Sequence, residues 1–107
     1  MGERDNTPIS TQFAQASYDW CQKSAAADLL EECKSATLSQ RMQLYADEPV
    51  NRAEMKVKSS DEWRDYLEKM VEARKAANIA KVKCEYLRMK FQEWSSAQAN
   101  ERLQAKL

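Results

Sequence analysis

The residue types that carry chemistry are few in this chain. It has three cysteines, several pairs of adjacent acids, a run of lysines and arginines in its C-terminal half, one glycine and no histidine. Without histidine, the commonest general base and the commonest transition-metal ligand are both missing. Cys21, Cys33 and Cys84 are odd in number and nowhere spaced as CxxC, which argues against a disulfide framework or a zinc site. A nucleophilic thiol needs a base or a positive neighbour. Cys84 lies between Lys83 and Glu85, but in a register expected to be buried, so the cysteines are expected to serve as small apolar residues at helix interfaces. Glu31-Glu32 and Asp61-Glu62 are sequence neighbours, and neighbours on a helix do not face each other. They read as a solvated face and a helix start rather than an acid–base pair. One glycine cannot build a phosphate-cradling loop, and no GxSxG or P-loop spacing occurs. The expectation is a non-enzyme with no catalytic residue, metal, cofactor or small-molecule substrate.

Binding chemistry is better represented. Arg74, Lys81, Lys83, Arg88 and Lys90 interleave with Tyr86, Phe91 and Trp94, which are the residue types that contact phosphates and stack on bases. Basic residues in such positions also serve as ordinary flanks of a helix pair. The whole chain balances 17 basic against 17 acidic residues, so bulk charge points to neither nucleic acid nor membrane. The distribution is uneven. Residues 1–48 hold eight acids and four bases, net −4, whereas residues 73–91 hold six bases and one acid, net +5.

The elements that must position these residues are helices. Charged residues make up 32% of the chain, alanine is abundant, and there are only one Gly and two Pro. Valine and isoleucine are too scarce to supply a sheet. With 107 residues there is material for a single domain. Residues 1–8 are polar, end in Pro8 and are expected to fray. Residues 10–46 hold N-terminal helices: Ile9, Phe13, Ala16 and Trp20 recur at helical spacing, and Ser24 is placed to cap a second helix through Leu29, Leu30, Cys33, Leu38, Met42 and Tyr45. Whether these are two helices or one stays open, because Cys21–Lys23 contains no strong breaker. Residues 47–58 form a connector or a short helix after Pro49, with Asn51 and Glu54 spaced as a capping box. Ser59 and Glu62 form a second such box, and from 60 to 104 no Gly or Pro intervenes. A helix of about 45 residues would be about 67 Å long. A compact domain of this size has a radius of gyration of only about 13 Å. The fold class expected is all-α, with short N-terminal helices packed on one long, coiled-coil-like C-terminal helix.

That long helix carries an unbroken heptad seam. The a positions are Trp63, Met70, Ala77, Cys84 and Phe91, and the d positions are Tyr66, Ala73, Ala80, Leu87 and Trp94. Its ends are bulky and its middle is alanine, which lets a second helix approach closely. The flanking e positions are Leu67, Arg74, Lys81 and Arg88, and the g positions are Lys69, Ala76, Lys83 and Lys90. Two copies of this seam would set basic against basic in either orientation. The acidic N-terminal helices are the expected complement, with Asp28, Glu31 and Glu32 near the basic flanks. A second apolar stripe, Ile79, Val82, Tyr86 and Met89, follows i, i+3, i+7, i+10 on the opposite face. A helix apolar on both faces is buried on both, so a homo-oligomer is expected, with a dimer favoured. Seam and stripe together are the candidate partner interface.

No stretch approaches the roughly 20 apolar residues of a membrane span. The first eight residues lack the apolar core of a signal peptide, and Gly2 is not followed by a myristoylation pattern. The expectation is a cytoplasmic protein with no membrane partner. The run Val82-Lys83-Cys84-Glu85-Tyr86-Leu87-Arg88-Met89-Lys90-Phe91-Gln92-Glu93-Trp94, within roughly residues 50–100, resembles small uncharacterised helical proteins of bacteriophages and prophages. The resemblance implies a phage accessory factor in the cytoplasm of a bacterial host, acting on host or phage DNA-processing machinery. It supplies no site residue. The leading expectation is thus a protein–protein interaction protein with an unidentified protein partner. The alternative is a nucleic-acid-binding accessory protein using Arg74, Lys81, Lys83, Arg88 and Lys90.

Overall fold

The computed structural model describes residues 6–106, and every regular element among them is helical. In chain order these are α1 (Ile9–Glu32), α2 (Lys34–Met42), a 3-10 turn (Gln43–Tyr45), α3 (Val50–Lys58) and α4 (Asp61–Lys106). Of the stretch expected to fray, residues 1–5 lie outside the described residues, and Pro8 is the N-cap of α1, with φ −55° and ψ 145°. Its carbonyl accepts the N–H of Gln12 at 3.0 Å, closing the first turn. α1 then runs unbroken through Ser24, so that serine caps nothing. The interruption falls at Cys33, where α1 ends and α2 begins. The bonding is nearly continuous there, with the Cys33 N–H donating to Leu29 and the Cys33 carbonyl accepting from Thr37.

Two caps differ from their sequence reading, by two residues at α3 and by one at α4, each for a visible reason. α3 begins at Val50 because the Pro49 carbonyl already accepts from Arg52 and Ala53, so Asn51 falls inside the helix and its Oδ1 accepts only from the adjacent Arg52 N–H. Ser59 is used to end α3: its N–H donates to Met55 and its hydroxyl to Lys56. Ser60 therefore caps α4, its Oγ accepting from Trp63 N–H at 3.2 Å while donating to Val57 at 2.6 Å. From Asp61, α4 continues for 46 residues, straight through Ser95-Ser96. Serine lowers helix propensity but does not break the backbone hydrogen bonding as Pro would.

α1 and α4 form an antiparallel pair. Going down α4 the partners climb α1: Phe91 with Phe13, Cys84 with Ser17, and Arg74 with Asp28 and Glu31. Tyr66, near the start of α4, donates its hydroxyl to the Leu30 carbonyl near the end of α1. The apolar stripe of α1 (Ile9, Phe13, Ala16, Trp20) packs on Cys84 and Leu87, giving the main core cluster. Toward the other end the interface is alanine: Ala27 and Ala77 are almost fully buried, as is Ala80. Small side chains hold the two backbones close there, as the seam's alanine centre implied. α2 and α3 pack on each other beside the start of α4, with Ala53 and Val57 buried. The fold is all-α, with a long C-terminal helix against the N-terminal helix.

The shape is elongated. The principal extents are 83 × 32 × 14 Å and the radius of gyration is 23.2 Å, against about 13 Å for a compact chain of this length. The accessible surface is 8622 Å², whereas a compact monomer of 12.4 kDa exposes about 6,100 Å² by the usual scaling. No helix among the described residues is long and apolar enough to cross a membrane.

Candidate functional site

The heptad seam of α4 is filled from within the chain. Trp63, Ala77, Ala80, Cys84 and Leu87 are buried, and Tyr66, Met70, Ala73 and Phe91 are half-buried. Trp63 stacks on Tyr66 with ring centroids 5.5 Å apart, and Phe91 bridges Phe13 and Trp94 at 6.1 and 6.0 Å. Trp94 is the exception. It lies half exposed, because α1 begins at Ile9, beside this last turn of the seam, and the residues of α4 from 99 to 106 are all exposed. Of the candidate interface residues, those on the seam are therefore mostly occupied by α1.

The outer stripe is not. Ile79, Val82, Tyr86 and Met89 are 61, 66, 57 and 58% exposed, forming an apolar band along the face of α4 turned away from α1. Monomers rarely leave a contiguous apolar band open without a use for it. Val71, also exposed, extends the band beyond the four residues of the sequence-read stripe. The signal was there, since Val71 precedes Val82 by eleven residues, about three turns. Beside the band runs an open groove of about 670 Å³, lined by Met70, Val71, Arg74, Asn78, Ile79 and Val82, with Glu31 of α1 at its edge. A second groove of about 660 Å³ lies between α1 and α4 and is lined by Phe13, Trp20, Cys21, Cys84 and Arg88 among others.

The basic residues do not form one cluster. Arg74, Lys81 and Arg88 occupy e positions and Lys83 and Lys90 occupy g positions, so α1, lying on the seam, separates the two rows. Arg74 is neutralised within the chain. Its Nε donates to Glu31 at 2.7 Å, one Nη donates to the other Glu31 oxygen at 3.0 Å, and the same Nη reaches Asp28. The hydrogen bonds from Arg74 hold the Glu31 carboxyl below its ordinary value, against a smaller desolvation effect, and the same contacts push the Arg74 guanidinium further up. Glu32, expected beside them, takes no part in this cluster. Lys90 lies 3.6 Å from Glu93 and over the Tyr86 ring.

The cysteines divide in the same way. Cys84 is buried, with Ser17 Oγ 3.3 Å from its sulfur, as expected of an interface residue. Cys21 and Cys33 are exposed, which corrects the expectation that all three sit at helix interfaces. The reason is register: Cys21 follows Trp20 on α1 and falls off its buried stripe, and Cys33 sits at the α1–α2 junction. Among the described residues, no group of His, Cys, Asp or Glu is arranged to hold a metal ion. In comparisons with known proteins the chain matches no family model, no curated protein and no solved structure.

Proposed function

We propose that this chain is a non-enzymatic interaction protein whose docking surface is the outer apolar face of α4. The observation that supports this is the contrast between the two faces of one helix. α1 covers the seam, while Ile79, Val82, Tyr86 and Met89 remain open on a molecule with far more surface than a compact chain of its mass. An apolar band is suited to another protein, because its burial releases water while the charged residues stay on its borders. The resemblance of roughly residues 50–100 to small phage and prophage proteins supports a phage accessory factor working in the bacterial cytoplasm on DNA-processing machinery. The divided basic rows and the internally neutralised Arg74 weigh against a phosphate-tracking groove.

The test compares tagged wild-type protein with an Ile79→Glu/Met89→Glu variant as bait in a bacterial extract that also holds the untagged chain, so that a second copy counts as a partner. The expected result is a discrete protein partner that wild type retains at low and high salt and the variant loses. Identical capture by both would overturn the assignment of the face. Fluorescence anisotropy with duplex and single-stranded DNA checks the competing chemistry. Affinity that falls steeply with salt and depends on Lys81, Lys83 and Arg88 would replace the protein-docking reading with nucleic-acid binding.

A further inference from the structure

We infer that the occupant of the outer face of α4 is a second copy of this chain, lying parallel and in register, with Glu85 of each copy paired to Lys90 of the other. This rests on the reading of that face as a docking surface and names its partner. Ile79, Val82, Tyr86 and Met89 follow the alternating 3–4 spacing of a coiled-coil core, so Ile79 and Tyr86 take one core position and Val82 and Met89 the other. The residues bordering that core are Asn78 and Glu85 on one side and Lys83 and Lys90 on the other. These flanks have opposite character, unlike the basic flanks of the seam that α1 fills. In a parallel pair, a residue on the first border faces the one five places further along the second copy. Glu85 then meets Lys90 and Asn78 meets Lys83, each twice by symmetry.

An antiparallel pair centred on the same four residues sets Lys83 beside Lys83 and Glu85 beside Glu85 at the middle of the contact. It gains Lys75 against Glu93, which a parallel pair sets like against like, but only at the margins, where water and salt screen both effects. Glu85 makes no ion pair among the described residues, and Lys90 Nζ lies on the border of the stripe, 5.6 Å from the centre of the Tyr86 ring, with only a loose, exposed contact of 3.6 Å to Glu93 to exchange for Glu85. The dimer also covers surface on a chain that exposes 8622 Å² where about 6,100 Å² is usual for its mass.

Three measurements on the full chain test this. Sedimentation equilibrium of wild type is expected to give twice the 12.4 kDa of one chain; a monomer at every concentration would overturn the proposal. If the monomer still captures a protein partner that Ile79→Glu/Met89→Glu loses, the docking face survives and only the second copy falls. For orientation, Val82→Cys and Met89→Cys are made separately in a Cys21→Ser/Cys33→Ser background. Each is expected to form a disulfide dimer on mild oxidation, while the background does not. Cross-linking only when Val82→Cys and Tyr86→Cys chains are mixed would show the antiparallel pair and overturn the register. Glu85→Lys and Lys90→Glu should each weaken the dimer by about five- to tenfold, and combining them in one chain should restore it. Failure of the double variant to recover would remove the Glu85–Lys90 pair. All the altered side chains are exposed, and circular dichroism of each variant is the check that the helices remain.

Discussion

At the scale of single residues, Arg74 is where the uneven charge of the chain becomes a contact. It gathers Asp28 and Glu31 from α1, while Glu32, one residue on, lies outside the cluster. Reversal at Glu31 should therefore lower the melting temperature and reversal at Glu32 should leave it unchanged, measured on Glu31→Lys and Glu32→Lys side by side. The contact also has a pH signature. The hydrogen bonds from Arg74 hold the Glu31 carboxyl below its ordinary 4.5. A depressed carboxyl stabilises the folded chain fully above the unfolded value and loses that contribution as pH falls through the folded one. Wild type should thus melt higher than Glu31→Gln at neutral pH, and the gap should close below about pH 4.5. The thiols make a separate prediction. A thiol-reactive dye should label Cys21 and Cys33 in the folded protein and reach Cys84 only on unfolding, because only Cys84 is buried.

At the scale of elements, α4 is long because nothing in residues 61–106 stops it, and it starts where it does because Ser60 caps it. Ser60→Ala should cost about 1 kcal/mol in denaturant unfolding, whereas Ser59→Ala, which loses only an exposed bond to Lys56, should cost much less. The α1–α4 interface depends on alanine at its centre. Ala77 is 1% exposed, so Ala77→Leu should push the helices apart and destabilise by about 1–3 kcal/mol. The cost of Leu87→Ala, at the other end of the pair, should be about 2–5 kcal/mol from the cavity it leaves. A finding that Ala77→Leu is neutral would mean that the helices are not in close contact there.

At the scale of the whole molecule, elongation is the governing fact. Nine apolar residues are buried among those described, five of them alanine, so the hydrophobic stabilisation available within one copy is small. A long two-helix frame with an open apolar face gains most by burying that face against something else. Thermal stability should therefore rise with protein concentration, as mass action requires when association and folding are linked. A melting temperature independent of concentration over two decades would mean that the isolated chain holds itself together.

Much of this architecture was legible in the amino-acid order. Helical content, the uninterrupted C-terminal helix, the seam from Trp63 to Trp94 and the second stripe at Ile79, Val82, Tyr86 and Met89 all follow from local periodicity and the scarcity of Gly and Pro. Periodicity reports which side chains share a face, because that depends only on 3.6 residues per turn. What covers each face depends on residues far apart in the chain: the uneven charge already pointed to the N-terminal helices on the seam, with Asp28 and Glu31 near its basic flanks, and the tertiary structure decided which helix lies there and which pairs form. The folded chain puts α1 on the seam, which left the stripe open, divided the basic rows and tied Arg74 to Glu31. The cap positions at Pro49 and Ser60 and the exposure of Cys21 and Cys33 were likewise beyond local pattern. They turn on how one helix ends and the next begins, a competition between neighbouring backbone hydrogen bonds that residue types alone do not resolve.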